Sequence, residues 1–269
     1  MELTLTPREA SRLPRRTWWL GLLIILLAAG ALRILGSQFS LPYVDHLDEP
    51  AFYLTGLEWR GVFSIGNYIP GYPPLYIWLH ELAQVLLGPL GIDSLSEGIG
   101  LFRLLSAAFS LTTLVLIALT ARRIMNDPAG WIAGIAWAVA PLVVQFDVLA
   151  TPDPLLYILV ALAMWLAVEA LFGRPWWSVW SVLAGCLAIL DKYYVLSAVL
   201  PGIVVALLVL RRSRRLGLKL LAAQAVLLVV TAGIAAVGII VLPREAAVAR
   251  DSGLANFLDP ARVLNNLYY

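Results

Sequence analysis

The chain contains a single cysteine, Cys186, and only two histidines, His46 and His80, in 269 residues. One thiol excludes a disulfide framework and a cysteine-ligated metal site. Charge is scarce as well: Asp, Glu, Lys and Arg make up 13% of the chain, about half the share in a soluble domain. With 19 basic residues against 17 acidic ones there is no basic surface to track a phosphate backbone, which excludes a nucleic-acid partner. The apolar runs show no internal repeat and the charges sit at run ends, a pattern unlike the mid-bilayer polar breaks of a transporter. What the chain does have is apolar bulk, 61% hydrophobic residues and a mean hydropathy of +0.86. These values specify an all-α polytopic membrane protein.

Apolar runs of spanning length predict about seven transmembrane helices, near 17–35, 101–121, 130–150, 154–172, 176–191, 193–210 and 217–242. The first has a basic flank like a signal peptide but no convincing small-x-small cleavage site, so it reads as an uncleaved span. Residues 74–89, "PLYIWLHELAQVLLGP", are too short to span and carry His80 and Glu81 at their centre; they predict an amphipathic helix in the interface. With the N-terminus inside, inner segments hold 12 of the 19 basic residues and only four acids, Glu2, Glu9, Asp127 and Glu169. That asymmetry follows the positive-inside rule of a plasma or inner membrane. Three regions result: a cytoplasmic tail 1–16, a membrane module 17–242 with a long first outer loop 36–100, and an outer segment 243–269. Trp18, Trp19, Trp176, Trp177, Tyr193 and Tyr194 read as interfacial belt anchors, and Glu169 as a partner of Arg174 or a snorkelling acid.

The same topology brings charge to one membrane face from three elements. "YVDHLDEPAFY" gathers Asp45, His46, Asp48 and Glu49, "FDVLATPDPLL" carries Asp147 and Asp153, and "LAILDKYYVL" carries Asp191 and Lys192. Ionisable groups at span ends usually face a bundle interior or a water-filled cavity. The outer loop is too long for a connector and too rich in Trp, Tyr, Leu and Ile for disorder. Within it, "DEPAFYLTGLEWRGVF" predicts a short helix with Asp48 near its N-cap and Pro50 in the first turn.

The order of these motifs resembles the lipid-dependent glycosyltransferases of the GT-C fold. They run from a first span through Asp-Glu in a long outer loop, "PPLYIW" and "RLLSAAFSLTTLVLIALTARRI" to an Asp-Pro heading the fourth span and a Lys heading the sixth. The branch they are most similar to is that of the protein O-mannosyltransferases and lipid A aminoarabinose transferases. The resemblance implies transfer of a sugar from a polyprenyl-phosphate donor to a lipid, glycan or protein acceptor on the extracytoplasmic side. Carried over residue by residue, it implies Asp48, Glu49 and Asp153 as the catalytic carboxylates and Lys192 as a cationic contact. The aminoarabinose branch has a carrier-phosphate lysine immediately before the segment matching "PPLYIW". Here that position is Tyr72, which leaves the phosphate to Arg60, Arg103 or Lys192 with Tyr72 beside them. Family members usually extend beyond the seventh span, so a further chain or C-terminal region is expected as a partner.

The chemistry implied is substitution at an anomeric carbon. A carboxylate, Asp48 by preference, takes the acceptor hydroxyl's proton, while Lys192 with Arg103 or Arg60 meets the charge of the departing phosphate. Asp153 orients the acceptor or the cations. No cofactor is firmly implied, although Asp45, His46 and Glu49 leave room for a divalent cation. Plainer readings stand beside these. Asp48 and Asp153 also fit as helix caps, Glu49 as a first-turn acid, Asp191 with Lys192 as a solvated turn, and His46 and His80 as interfacial polar residues. Two other functions stay open, a non-catalytic membrane module of a split enzyme and a lipid or sugar transporter.

Overall fold

The structure is a computed structural model that describes residues 13–44, 46, 48–58, 73–87, 95–192 and 195–240. Arg60, Tyr72, Asp45, Tyr193, Tyr194 and the 243–269 segment lie outside these residues. The elements in chain order are α1 (Arg15–Ser37), α2 (Asp48–Glu58), α3 (Pro74–Leu87), α4 (Leu95–Ile124), α5 (Asp127–Val139) and α6 (Pro141–Asp147). They continue with α7 (Asp153–Phe172), α8 (Trp177–Asp191), a 3-10 turn (Leu196–Val199), α9 (Leu200–Arg212) and α10 (Arg214–Ile240). No strand occurs among the described residues. The protein is an all-α polytopic membrane protein, and each expected apolar run is helical.

Among the described residues, four helices are long and apolar enough to cross a membrane: α1, α4, α7 and the Arg214–Ala236 part of α10. The expected run 130–150 is not one straight rod. It breaks into α5 and α6 with a 63° bend, because Pro141 has no N–H to give and forces Ala140 into extended geometry at φ −61°, ψ 118°. This bent pair makes a fifth candidate span. α8, with 15 residues, and α9, with 13, are shorter than a bilayer requires, so the fifth and sixth expected spans are present as helices of sub-spanning length.

α4 is the central post. Its 30 residues reach about 45 Å, longer than a hydrocarbon core of about 30 Å, and it packs against α1, α2, α5, α6 and α7. Trp18, Leu22, Ala29, Leu114, Ala118 and Ala138 form the core between α1, α4 and α5. Trp18 is therefore not a belt anchor: it is fully buried, its indole N–H donates to the Asp127 carbonyl at 3.3 Å, and the Arg122 guanidinium lies 4.0 Å above its ring. Trp19, Trp176 and Trp177 are exposed, in keeping with that role. α8, α9 and α10 are joined by Gln224, whose amide donates to the Ser178 and Gly202 carbonyls at 3.2 and 3.1 Å. Their approach requires a glycine, because a Cβ on Gly202 would stand 2.6 Å from the Ser178 carbonyl oxygen.

Ion pairs sit at both ends of this post. At one end Asp127 accepts from Arg122 Nε and from the Leu13 N–H, both at 2.6 Å. Glu169 pairs with Arg123 of α4 at 3.4 Å, which replaces the expected pairing with Arg174: the neighbouring long helix supplies a nearer cation than the loop does. Nineteen residues earlier on α4, about 28 Å away, Arg103 marks the other end, where α2 and α3 dock.

α3 is a two-sided helix, as the expected amphipathic segment 74–89 requires. His80, Glu81 and Gln84 are buried inward, whereas Leu82, Val85 and Leu86 face out. Its amphipathicity is inverted, as suits a helix with protein on one side and lipid on the other.

Candidate active site

The acidic cluster at the start of α2 is divided by the fold. Glu49 is fully buried, and its two oxygens accept from Arg103 Nε and Nη2 at 2.8 and 2.7 Å, a bidentate fork. Oε1 also accepts from the Ala150 N–H at 2.7 Å. Arg103 Nη1 donates to the carbonyls of Ser37 at 3.1 Å and Phe39 at 2.6 Å. All three guanidinium nitrogens are engaged, and one ion pair joins the end of α1, the start of α2, the body of α4 and the turn before α7. Asp48 is exposed beside it. The site expectations for Glu49 and Arg103 thus meet a geometry in which each holds the other.

The turn that receives Glu49 leads into Asp153. This residue opens α7 without capping it, since the cap position is Pro152 and makes no side-chain bond. Its carboxylate instead accepts from Lys192 Nζ at 2.5 Å, the two side chains being 24% and 10% exposed. Lys192 follows the last residue of α8, and Asp191 before it is fully buried. A solvated turn is therefore not what the structure forms here; α8 and the following 3-10 turn pack together and close the corner. α8 covers only about 22 Å, less than the bilayer core.

α3 supplies the opposite wall. Tyr76 is buried and stacks edge-on against Phe52 of α2 at 5.2 Å. Burial holds its phenol well above the ordinary value, and the charges of Asp191, Glu49 and Asp153 act in the same direction, so the hydroxyl keeps its proton. One turn on, His80 lies flat on Phe102 at 3.6 Å, with rings 11° apart. Burial pushes its imidazole down to about 3. It is a neutral core residue and not an interfacial one. His46 is half-buried. Among the described residues no three His, Cys, Asp or Glu side chains form a metal-holding group, and Asp45 of the expected cation set is not among them.

A second buried pair was not foreseen. Arg33, inside the apolar run of α1, donates to Asp147 Oδ2 through Nε at 3.2 Å and Nη2 at 2.9 Å, with both side chains fully buried. Ser110 donates to the same oxygen, and Arg33 reaches the Ala29 and Ala138 carbonyls. An arginine inside a spanning run was the available signal, because such a charge must find a partner. Tyr76 was likewise visible in "PPLYIW" without being given a task.

Residues 72–237, more than half of the chain, match the family model described as dolichyl-phosphate-mannose-protein mannosyltransferase. The chain belongs to this mannosyltransferase family. No curated protein and no solved structure matches it. Membership makes this mannosyltransferase-family chain a membrane glycosyltransferase with a lipid-linked sugar donor. Its matched stretch includes Tyr72, Tyr76, Arg103, Asp153 and Lys192, whereas the acidic cluster at 45–49 and Arg60 precede it.

Proposed function

We propose that the chain moves a sugar from a polyprenyl-phosphate carrier to an acceptor hydroxyl on the extracytoplasmic face of the plasma (inner) membrane. The observation that carries this reading is the pinning of α2. Glu49 fastens the helix start to Arg103 and to the Ala150 N–H, three residues before Asp153, which holds Lys192. That fastening presents Asp48 at the edge of the same charged corner. Asp48 acts as general base and receives the acceptor proton as the new bond to the anomeric carbon forms. The bond from that carbon to the phosphate oxygen breaks, and Lys192 turns from Asp153 to take the phosphate's charge. Arg60 and Tyr72, outside the described residues, are assigned to the phosphate by the resemblance alone. Glu49 acts through the position of Asp48, and Arg103 through Glu49. The prenyl tail lies between helices, in keeping with a corner at bilayer depth.

The test uses vesicles containing the purified protein and polyprenyl-phosphate mannose with a labelled sugar. Asp48→Asn lowers departure of label from the carrier by about 10²- to 10⁴-fold, while native mass spectrometry still finds carrier bound. Lys192→Ala loses the carrier. Undiminished turnover in Asp48→Asn removes it as the base. Bulk phospholipid alone on the folded wild type removes the donor reading and leaves a scaffold.

A further inference from the structure

The chemistry assigned above does not use Asp191, and it leaves Tyr76 without a task. Both are buried to within 2% of completeness; the two carboxylate oxygens of Asp191 have no hydrogen-bond partner, and the Tyr76 hydroxyl has only the Ser106 side chain beside it. Folded proteins rarely leave such groups unpaired, because each forfeits the hydrogen bonds it had in water. α3 packs directly against α8, bringing these residues to one corner. Among the charged groups around it, Asp191 acts most strongly on the Tyr76 hydroxyl. Yet the two do not bond to each other. One offers two carboxyl oxygens and the other is a protonated phenol. An occupant that satisfies both must pair with a carboxyl group and accept from an O–H, and an alcohol does both. Two neighbouring hydroxyls on one ring match the two oxygens of Asp191.

We infer that Asp191 and Tyr76 form a subsite for the hydroxyl groups of the donor sugar, beside the Asp153–Lys192 pair that meets the phosphate. The inference rests on the donor reading proposed above and adds to it the residues that distinguish a charged carrier from a spent one. Asp191 lies one residue from Lys192. Sugar and phosphate contacts therefore come from adjacent positions at the end of α8, the spacing a glycosyl phosphate needs. The edge-on Phe52–Tyr76 pair keeps the phenol ring fixed while its hydroxyl is used.

The experiment compares the affinity of the full chain in nanodiscs for polyprenyl-phosphate mannose and for polyprenyl phosphate, by native mass spectrometry titration. The wild type favours the sugar-bearing carrier by about tenfold to a hundredfold, the worth of pairing one or two buried polar groups that otherwise stay unsatisfied. Asp191→Asn and Tyr76→Phe each reduce that preference toward parity and leave the affinity for polyprenyl phosphate within about twofold. Tyr76→Phe keeps the buried ring, so it remains informative where the Asp191 variant fails to fold. A wild-type preference unchanged in the folded variants overturns the inference and means that water alone fills the space. Equal wild-type affinity for the two carriers also overturns it, with the donor reading intact. A wild type that binds neither carrier refutes the donor reading itself.

Discussion

Removing either member of the Glu49–Arg103 pair should be among the most damaging single changes in the protein. Arg103→Met keeps most of the side-chain volume and deletes the charge. It leaves a fully buried carboxylate with the Ala150 N–H as its donor, and strips the Ser37 and Phe39 carbonyls of theirs. Breaking a buried pair in this way costs about 3–5 kcal/mol, because the surviving charge is neither solvated nor compensated. Glu49→Gln strands the guanidinium and costs a similar amount. The double variant Glu49→Gln/Arg103→Met carries no stranded charge, so its loss falls well below the sum of the singles. The assay is denaturant unfolding in mild detergent for all four proteins, with sugar transfer measured alongside. Singles within about 1 kcal/mol of wild type, or an additive double, would refute the clamp. Recovery of transfer in the double would place Glu49 outside the chemical step, whereas recovery of folding alone would place it inside.

The Arg33–Asp147 pair follows the same logic: Asp147→Leu costs about 3–5 kcal/mol, mostly regained on adding Arg33→Leu, as read by unfolding midpoints of the two variants. Acid should weaken the protein through His80. Its folded value of about 3 lies below the ordinary 6.5, so the unfolded chain binds the extra proton between these values. The stability from its neutral form is complete above about pH 6.5 and lost as pH falls toward 3, by about 1.4 kcal/mol per unit. His80→Phe, which keeps the stack on Phe102, should flatten the unfolding midpoint between pH 6.5 and 4.5. Gly202→Ala should cost about 1–3 kcal/mol by overpacking against Ser178 and Val182, while polyprenyl-phosphate binding in the folded fraction stays unchanged.

Helices were legible in the sequence because their signals are local. The apolar runs, Pro141 and the Asp-Glu-Pro start of α2 each act within one or two turns. The charged corner was legible only as a gathering of elements. Glu49 and Arg103 are 54 residues apart and Arg33 and Asp147 are 114 apart, and no periodicity reports a pairing over such distances. The bent α5–α6 pair and the short α8 follow from proline and from packing against α9, so counting residues alone overestimates straight spans. Inversion of α3 was hidden for another reason. A helix with His80 and Glu81 on one side and Leu82, Val85 and Leu86 on the other looks the same whether its polar side meets water or protein. Only the partner decides.

That inversion bears on what keeps water from a reactive sugar phosphate. With Leu82, Val85 and Leu86 turned outward, the helix that carries Tyr76 on its inner side has an apolar back, a face suited to acyl chains. The wall of the corner is one helix thick, and in the proposed reading lipid would form its outer course. Low dielectric on that side strengthens the attraction between Lys192 and an incoming phosphate. On the proposed function, the bilayer would be solvent for the carrier's tail and also part of the insulation around its head.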